Sequence, residues 1–323
     1  MPDAPTVIDA HVNVASTFTI PGEFIDVQAA NAFARLEAMG QAVPKNRVAD
    51  RVHAIYTDDY ADRLVAEMDG AGIESAVLLA PDFTHVASCR LSPPELAAHH
   101  AEIRRRHPGR FEVLMGVDPR NGDDGVALFE KCVGDYGFGG VKLYPLCGYT
   151  ASDRRLYPYY EICAARRLPV LCHTGPGWQP LDFSFGQPLM LDGAAKDFPT
   201  VNFILAHGGV THVDEATYMC AFRPNVFLDV SGFVAVLHPD GWNRHLNEVF
   251  RRGINHKIIF GTSWPAFRMS TSLKAIMTEV TEGTEVFNGI KGKDRRLILN
   301  ENISRLLNTG HLSTGRGGSE AEG

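Results

Sequence analysis

Histidines at the ends of apolar segments are the residues of this sequence best suited to chemistry. His11 lies near the end of TVIDAHVNV, His173 near the end of LPVLCHTG and His207 near the end of VNFILAHGG. Imidazoles from separate strands can surround a divalent cation such as zinc, which takes about four N, O or S ligands and polarises a carbonyl or a bound water. The same imidazoles can act as acid, base and oxyanion stabiliser without a metal. The sequence therefore predicts a histidine site of one of these two kinds.

Other polar and aromatic side chains occupy comparable positions in the remaining apolar segments. Lys142 in GVKLYP would place a cation in the pocket, suited to a substrate carboxylate or an enolate, although a salt-bridged lysine is nearly as common there. Asp229 in LDVSG could orient an imidazole by accepting its N–H, or could cap the following segment. Tyr144 could form a hydrogen bond to a substrate, and Trp178 and Trp264 could line an apolar pocket for a ring. Asn13 and Ser263 are the other candidates for contact with substrate.

The pattern of apolar runs indicates the scaffold that brings these residues together. Eight runs typical of strands buried on both faces begin near residues 6, 73, 111, 139, 168, 201, 225 and 256. Segments with helical spacing lie between them at 58–71, 92–107, 153–167, 211–222, 242–252 and 270–281. Eight strands alternating with helices predict an α/β fold, a (β/α)8 TIM barrel in one domain over residues 1–312. The alternative is an open doubly wound sheet, which the lack of a Gly-rich phosphate loop after the first run disfavours.

In such a barrel the carboxyl ends of the strands form the active-site face, so the polar residues should converge on one mouth. Residues two apart on a strand share a face, so Asp9, His11 and Asn13 are expected to point the same way. The long connections after the first and fifth runs, residues 14–57 and 174–200, would emerge at this mouth.

Composition makes several other classes of protein unlikely candidates. The 323 residues carry a formal net charge of −7 without a basic run, so nucleic acid is not an expected partner. No apolar stretch reaches membrane-spanning length, and no secretory signal is visible. Six cysteines without a CxxC pair indicate reduced thiols in a cytoplasmic protein. The small, polar segment 313–323 is expected to be a disordered tail.

Taken together, the motifs resemble those of a known superfamily. IDAHVN, GVKLYP, PVLCHTG, NFILAHGG, VFLDVSG, FGTSWP and ILNENISRLL occur in the order found in the amidohydrolase superfamily. The sequence is most similar to the amidohydrolase-related branch, which includes aminocarboxymuconate-semialdehyde decarboxylase and related aromatic-acid decarboxylases and hydrolases. The resemblance runs from residue 6 to about residue 308 and implies a (β/α)8 barrel. It also implies a metal site with a His-x-His pair from strand one, a strand-five histidine and a strand-eight aspartate. A strand-six histidine serves there as acid–base or second ligand.

Two positions of that implied site differ in this sequence. By the resemblance, His11 matches the first histidine of the pair, His173 the strand-five ligand and His207 the strand-six histidine. The second histidine of the pair is Asn13, and the strand-eight aspartate is Ser263. An amide oxygen is a poor zinc ligand beside imidazole, and a serine hydroxyl is neutral at pH 7. We therefore expect either no metal or a divalent metal, zinc if any, held weakly by His11 and His173.

The resemblance implies an enzyme acting on a small cyclic or aromatic carbonyl or carboxylate compound. Hydrolysis of an amide, lactone or C–C bond is the first expectation, and nonoxidative decarboxylation is the second. A metal-free site would suit cyclisation, dehydration or isomerisation. The expected catalytic residues are His207, His173, Lys142 and Asp229. A non-catalytic ligand-binding relative is the alternative from another class. The expected partners are a small-molecule substrate and, because relatives are often dimers, a second copy of the chain.

Overall fold

The computed structural model describes residues 6–232, 243–283 and 285–307. Its strands form one parallel, eight-stranded sheet in the order of the chain. The strands are β1 Val7–Asn13, β2 Ile73–Ala80, β3 Phe111–Gly116, β4 Gly140–Leu143, β5 Val170–Cys172, β6 Phe203–Leu205, β7 Val226–Asp229 and β8 Ile258–Ile259. The prediction of eight parallel strands is confirmed, and each strand lies within the apolar run that predicted it.

The sheet closes into a barrel where the first strand meets the segment after the last. The backbone N–H of Asn13 donates to the carbonyl of Trp264 at 2.8 Å, and that of Ser263 donates to the carbonyl of His11 at 2.8 Å. These bonds continue the parallel pairing from β8 back to β1. The fold is therefore the (β/α)8 barrel that the sequence predicts.

Asp9 links the two edges of this barrel and does not join the histidines. Its Oδ1 accepts the N–H groups of Thr262 at 2.9 Å and of His11 at 3.2 Å, and its Oδ2 accepts the Thr262 hydroxyl at 2.5 Å. The pairing of β1 with β2 shifts register between Asp9 and Val12, so strict two-residue alternation does not hold there. Burial raises the pKa of Asp9 to about 7. The expectation that Asp9 and His11 share one face is therefore wrong.

Helices connect the strands. They are α1 Gly22–Ala38, α2 Lys45–His53, α3 Asp62–Ala71, α4 Pro93–Arg106, α5 Gly122–Gly134, α6 Tyr157–Arg166, α7 Asp192–Asp197, α8 Val213–Phe222, α9 Asn243–Phe250, α10 Leu273–Thr278, α11 Glu285–Asn288, α12 Gly292–Arg296 and α13 Asn302–Leu306. The six predicted helical segments appear as α3, α4, α6, α8, α9 and α10, except that residue 242 lies outside the described residues. The long connection after β1 contains α1 and α2, and the one after β5 contains α7. The proposed tail 313–323 also lies outside the described residues.

The start of α4 shows how local sequence sets a helix boundary. Ser92 precedes the helix and forms a capping box with Glu95, whose carboxylate accepts the Ser92 N–H at 2.8 Å and the hydroxyl at 2.6 Å. Pro93 occupies the first helical position, where its missing N–H costs nothing. Further along, His100 is fully buried and its Nδ1 lies 2.9 Å from the Leu96 carbonyl, the acceptor four residues earlier.

The helix α5 was not predicted, because its sequence GDDGVALFEKCVG carries glycines that disfavour a helix. Tertiary packing accounts for one of them. A Cβ on Gly125 would lie 2.3 Å from the hydroxyl oxygen of Tyr159 in α6, so only glycine allows the two helices this approach. The close approach of Tyr159 therefore accounts for the glycine at position 125, which weakens the local helical pattern.

Apolar side chains fill the barrel from several strands at once. The inner cluster joins buried residues of the strands to residues of α13: Ile8, Val77, Leu79, Leu114, Leu171, Ile204, Ile259, Ile303 and Leu306. A larger cluster packs strands against the surrounding helices. This packing makes the barrel a rigid support for side chains at the strand ends. Within the described residues, every helix is too short or too polar to cross a lipid bilayer.

Candidate active site

Three histidines from β1 and from the ends of β5 and β6 meet in one cluster. The ring centroids of His11 and His207 lie 4.6 Å apart, and those of His173 and His207 lie 4.7 Å apart. His207 Nε2 lies 3.1 Å from His173 Nδ1, within hydrogen-bond distance. The carboxyl ends of β1, β5 and β6 therefore bring together the imidazoles that the sequence singled out.

Asp229, at the end of β7, holds His11. The Nδ1 of His11 lies 2.6 Å from Asp229 Oδ2, and both side chains are buried. Burial would raise the pKa of Asp229, but His11 and the Ser231 N–H, which donates to Oδ1 at 2.6 Å, bring the pKa below its ordinary value. Burial lowers the pKa of His11 and outweighs the opposite effect of Asp229. The pair is therefore an ionised carboxylate that accepts the Nδ1–H of a neutral imidazole.

His207 occupies a strained turn immediately after β6. Its φ of 59° lies in the left-handed region, which a non-glycine residue enters at a cost of roughly 1–3 kcal/mol. The Nδ1 of His207 lies 3.1 Å from Ser231 Oγ and 3.3 Å from the Ser231 carbonyl oxygen. A Cβ on Gly232 would come within 2.8 Å of this nitrogen, so glycine makes room for the ring. Burial, together with His11, lowers the pKa of His207 to about 3.

His173 is fixed on both sides of its ring. Tyr144 stacks on it with ring centroids 4.1 Å apart and an angle of 17° between the planes. The Nε2 of His173 lies 3.0 Å from the carbonyl oxygen of Pro176. Burial and the nearby His207 and Lys142 hold the pKa of His173 well below its ordinary value, so the ring is neutral. Tyr144 therefore belongs to the cluster as a support for an imidazole.

Lys142, on β4, supplies a positive charge beside the cluster. The residue is 1% exposed, and no acceptor within the described residues lies at hydrogen-bond distance from its Nζ. Its Nζ lies 5.5 Å from the centre of the Tyr144 ring. Burial lowers the pKa of Lys142 to about 8, and Asp229 is among the groups that oppose this effect. The ammonium group is therefore still protonated at neutral pH, without a direct partner among these residues.

The remaining predicted substrate contacts lie in different surroundings. Asn13 is half-buried at the end of β1, and its backbone pairs with Trp264. Ser263 is 8% exposed and adopts a φ of 62°. Trp264 is fully buried, and its Nε1 donates to Glu67 of α3 at 3.0 Å. Trp178 is 42% exposed in the connection after β5. In the described structure, Ser263 is the one of these four residues that bonds to a histidine of the cluster, and it does so through its backbone N–H to the backbone carbonyl of His11.

Sequence reasoning gave no role to Ser231, although this residue contacts two members of the cluster. Its hydroxyl oxygen lies 3.0 Å from Asp229 Oδ2 and 3.1 Å from His207 Nδ1. The available signal was its spacing, since Ser231 follows Asp229 by two residues at the end of β7.

The donor atoms do not fit the divalent metal site that the resemblance implies. His11 Nδ1 is bonded to Asp229, His173 Nε2 to Pro176, and the facing nitrogens of His173 and His207 to each other. A cation bound by His173 or His207 would have to break one of the bonds of these two rings, so in the described cluster only the Nε2 of His11 is open to it. Neutral Asn13 and Ser263 replace an imidazole and a carboxylate of the implied ligand set. In the part of the chain that the structure describes, no group of three or more His, Cys, Asp or Glu side chains is arranged to hold a metal ion.

A parallel barrel with a histidine cluster at the carboxyl ends of its strands defines the class of (β/α)8-barrel enzymes. The chain matches the family model described as Amidohydrolase over residues 8–309 and belongs to this family. The resemblance noted from the motifs is thereby confirmed, and the protein is an enzyme of the amidohydrolase superfamily.

Solved structures share this fold over nearly their whole length. An uncharacterised TIM-barrel protein from Bordetella bronchiseptica is 24% identical, with a TM-score of 0.65 and coverage of 94% of this chain and 98% of that one. The 2,6-dihydroxybenzoate decarboxylase from Rhizobium is 19% identical, with a TM-score of 0.61 and coverage of 93% and 99%. A 5-carboxyvanillate decarboxylase from Novosphingobium aromaticivorans, solved with bound manganese, is 15% identical, with a TM-score of 0.65 and coverage of 95% and 98%. At these identities the likeness shows the fold alone.

Two curated proteins match shorter parts of the sequence. The 2-keto-4-carboxy-3-hexenedioate hydratase of Sphingobium sp. is 30% identical over 101 residues, which cover 26% of this chain and 30% of the hydratase. Protein fluG of Emericella nidulans is 29% identical over 80 residues, which cover 25% of this chain and 9% of that protein. The chain thus spans less than a third of the length of either relative.

Proposed function

We propose that this enzyme is a lyase that moves protons in a small carbonyl or aromatic carboxylate compound and needs no resident divalent cation. The observation that carries the proposal is the His11–Asp229 pair at 2.6 Å, placed beside a buried ammonium group. A carboxylate-oriented imidazole is a general base, and a nearby cation stabilises negative charge that develops on the substrate.

His11 is the base in this proposal. Because its Nδ1–H is donated to Asp229, its Nε2 carries the lone pair, and the structure gives Nε2 no hydrogen-bond partner among the described residues. Every nitrogen of His173 and His207 already has a partner. Of the three imidazoles, His11 therefore has the ring nitrogen most available to accept a proton from water or substrate.

Lys142 supplies the electrostatic stabilisation. Its ammonium group is buried and still protonated at neutral pH, so its field acts in a medium of low polarity. Removal of a proton from carbon, addition of water to a conjugated double bond and loss of CO₂ from an aromatic acid all place negative charge on the substrate. The nearby positive charge lowers the energy of each such intermediate, and it also attracts a carboxylate.

His207 and His173 act as neutral rings that shape the site, because their pKa values lie below the ordinary range and each ring nitrogen is held in a hydrogen bond within the cluster. His11, once it has accepted a proton, is the group that can return one to the substrate. The names of the relatives agree with this kind of reaction, since one is a hydratase and several structural neighbours are decarboxylases. Hydration, dehydration and decarboxylation share the step in which carbon gains or loses a proton.

Hydrolysis of an amide or lactone is the second candidate, because His11 could direct a water molecule at a carbonyl carbon equally well. Turnover in D₂O separates a lyase from a hydrolase. A lyase that protonates carbon leaves non-exchangeable deuterium on a product carbon, which NMR and mass spectrometry detect, whereas amide or lactone hydrolysis does not. A panel of enolisable keto acids, hydroxybenzoates and lactones with a carboxylate is the appropriate set of probes.

The metal-free part of the proposal is tested on protein purified without chelators. We expect unchanged turnover after treatment with EDTA and after addition of Zn²⁺ or Mn²⁺. A requirement for one bound metal ion per chain would refute it, and would instead support a weak zinc site at His11 and His173. His11→Gln should abolish turnover, while His256→Gln, which changes an exposed histidine, should not.

The alternative of a non-catalytic binding protein predicts a different result. If a compound from the panel binds but is not turned over, and His173→Ala and His207→Ala leave binding intact, the cluster is not catalytic. We also propose, from the resemblance alone, that the chain forms a homodimer, which light scattering during gel filtration tests.

A further inference from the structure

A continuous chain of hydrogen-bond distances runs through the site. It joins six residues in the order His11, Asp229, Ser231, His207, His173 and Pro176, with successive distances of 2.6, 3.0, 3.1, 3.1 and 3.0 Å. The chemistry of the two ends of this chain determines which of its atoms donate hydrogen bonds.

At one end is the carbonyl oxygen of Pro176, which can only accept. The Nε2 of His173 must therefore carry a hydrogen, so in the neutral ring Nδ1 is an acceptor. It follows that His207 donates from Nε2 to this Nδ1. In a neutral His207 ring, Nδ1 is then also an acceptor and needs a donor.

At the other end is the Asp229 carboxylate, which also only accepts. His11 donates to its Oδ2, and the backbone N–H of Ser231 donates to its Oδ1. The Ser231 hydroxyl lies between Asp229 Oδ2 and His207 Nδ1 and has one hydrogen for two acceptors. The direction of this hydroxyl therefore decides the state of the whole chain.

If the hydroxyl donated to Asp229, the Nδ1 of His207 would face only oxygen lone pairs of Ser231, at 3.1 and 3.3 Å. This nitrogen would then need the hydrogen, and His207 Nε2 would become an acceptor. His173 would have to donate from both nitrogens, to His207 and to Pro176, and would be a buried cation near Lys142. The neutral alternative, with the hydroxyl directed to His207, gives every imidazole nitrogen a partner without an added buried charge, and its cost is the contact of Ser231 Oγ with Asp229 Oδ2 at 3.0 Å without a hydrogen between them.

We propose that Ser231 is a positioning residue whose hydroxyl donates to His207 and so fixes His207 as the tautomer protonated at Nε2, the form that donates to His173. This arrangement leaves Asp229 Oδ2 to His11 alone. The catalytic consequence rests on the proposed function: Ser231 keeps His207 in its donating form and His11 as the base. The tautomers themselves are a property of the folded protein and need no substrate.

The test is NMR of the full chain labelled with ¹⁵N-histidine. Two-bond ¹H–¹⁵N correlations show which ring nitrogen carries the hydrogen, and the variants His207→Gln and His173→Gln assign the two signals. In the wild type we expect both rings to be protonated at Nε2. In Ser231→Ala the carbonyl of residue 231, at 3.3 Å, becomes the remaining partner of His207 Nδ1. His207 should therefore change to the Nδ1–H tautomer and give up its hydrogen bond to His173, while the Pro176 carbonyl keeps His173 protonated at Nε2.

Ser75→Ala is the matched control, because Ser75 is a buried serine in β2 at 2% exposure, and it should leave both tautomers unchanged. Ser231→Thr keeps a hydroxyl and should keep the wild-type tautomers. A wild-type His207 protonated at Nδ1, or unchanged tautomers in Ser231→Ala, would overturn the proposal. If Ser231→Ala does not fold, the wild-type spectrum alone decides.

Activity gives the second measurement. With a substrate from the panel, Ser231→Ala should lower kcat by about 10-fold to 100-fold, the usual cost of losing a group that orients a catalytic residue, with KM little changed. Ser231→Thr should recover most of this loss. Expected tautomers in a protein with no lyase activity would refute the proposed function and leave the role of Ser231 intact.

Discussion

The buried histidine of α4 makes a quantitative prediction about stability and pH. His100 is fully buried, and its Nδ1 lies 2.9 Å from the Leu96 carbonyl oxygen. Burial lowers the pKa of His100 from 6.5 to about 4. Below pH 6.5 the unfolded chain therefore binds a proton at this residue that the folded protein does not bind until about pH 4. The contribution of His100 to stability is complete above its unfolded pKa and is lost as the pH falls from there to about 4.

The size of the effect follows from the difference between the two pKa values. A difference of about 2.5 pH units corresponds to about 3.4 kcal/mol when the pH has fallen below both values. At about pH 5 the unfolded state is mostly protonated and the folded state is not, and the loss relative to about pH 7.5 is about 2 kcal/mol. His100→Leu has no group that titrates, so this part of the pH dependence should disappear.

Urea unfolding followed by circular dichroism at these two pH values is the appropriate assay. The free energy of unfolding should fall by about 2 kcal/mol more in the wild type than in His100→Leu. His256→Gln replaces an exposed histidine and is the control for the loss of an imidazole elsewhere in the chain. Equal losses in the wild type and in His100→Leu would show that burial does not keep His100 neutral, and the reasoning would be refuted.

Three further predictions concern the site. Asp229→Asn should lower kcat by roughly 10²–10⁴-fold with the fold retained, because an amide does not hold His11 as its Nδ1–H tautomer. Steady-state kinetics measure kcat, and circular dichroism shows whether the fold is retained. Gly232→Ala should lower kcat because its Cβ would lie 2.8 Å from His207 Nδ1. Gly72→Ala is the control, because the φ of Gly72 is 72° and that of Gly232 is 80°. A Cβ on Gly72 would have no atom within 4 Å, so this variant should lose stability but keep its activity. Lys142→Met should abolish turnover and raise the free energy of unfolding by about 1–3 kcal/mol, because it removes a buried ammonium group without a partner among the described residues. A lower free energy of unfolding in Lys142→Met would contradict the prediction.

Much of the fold follows from local sequence patterns. Strands of a parallel barrel are buried on both faces, so their apolar runs are visible without any knowledge of neighbours. The start of α4 is equally local, because Ser92, Pro93 and Glu95 form its cap among themselves. The helix α5 was missed because its glycines weaken the helical pattern, and the reason for one of them, the close approach of the Tyr159 hydroxyl to Gly125, is not visible in the local sequence.

Within the site, the sequence indicated the residues but not their partners. His11, His173 and His207 were identifiable because each follows or ends a buried strand, and such ends meet at one mouth of a barrel. Trp264 was expected in the pocket on the same grounds, yet its indole bonds to Glu67 of α3. A position at a strand end does not fix the direction of a side chain where the backbone departs from regular alternation.

By itself, then, the sequence determined the eight strands, the helices with local caps and the three imidazoles, since each depends on residues within one turn or strand. The tertiary structure decided which atoms meet: Asp9 with Thr262, 253 residues away, and His11 with Asp229, 218 residues away. It also placed the Ser231 hydroxyl between a carboxylate and an imidazole. Such contacts depend on how the closed barrel aligns its strands, and hydrogen bonds are sensitive to displacements of a few tenths of an ångström, far finer than any periodicity in a sequence.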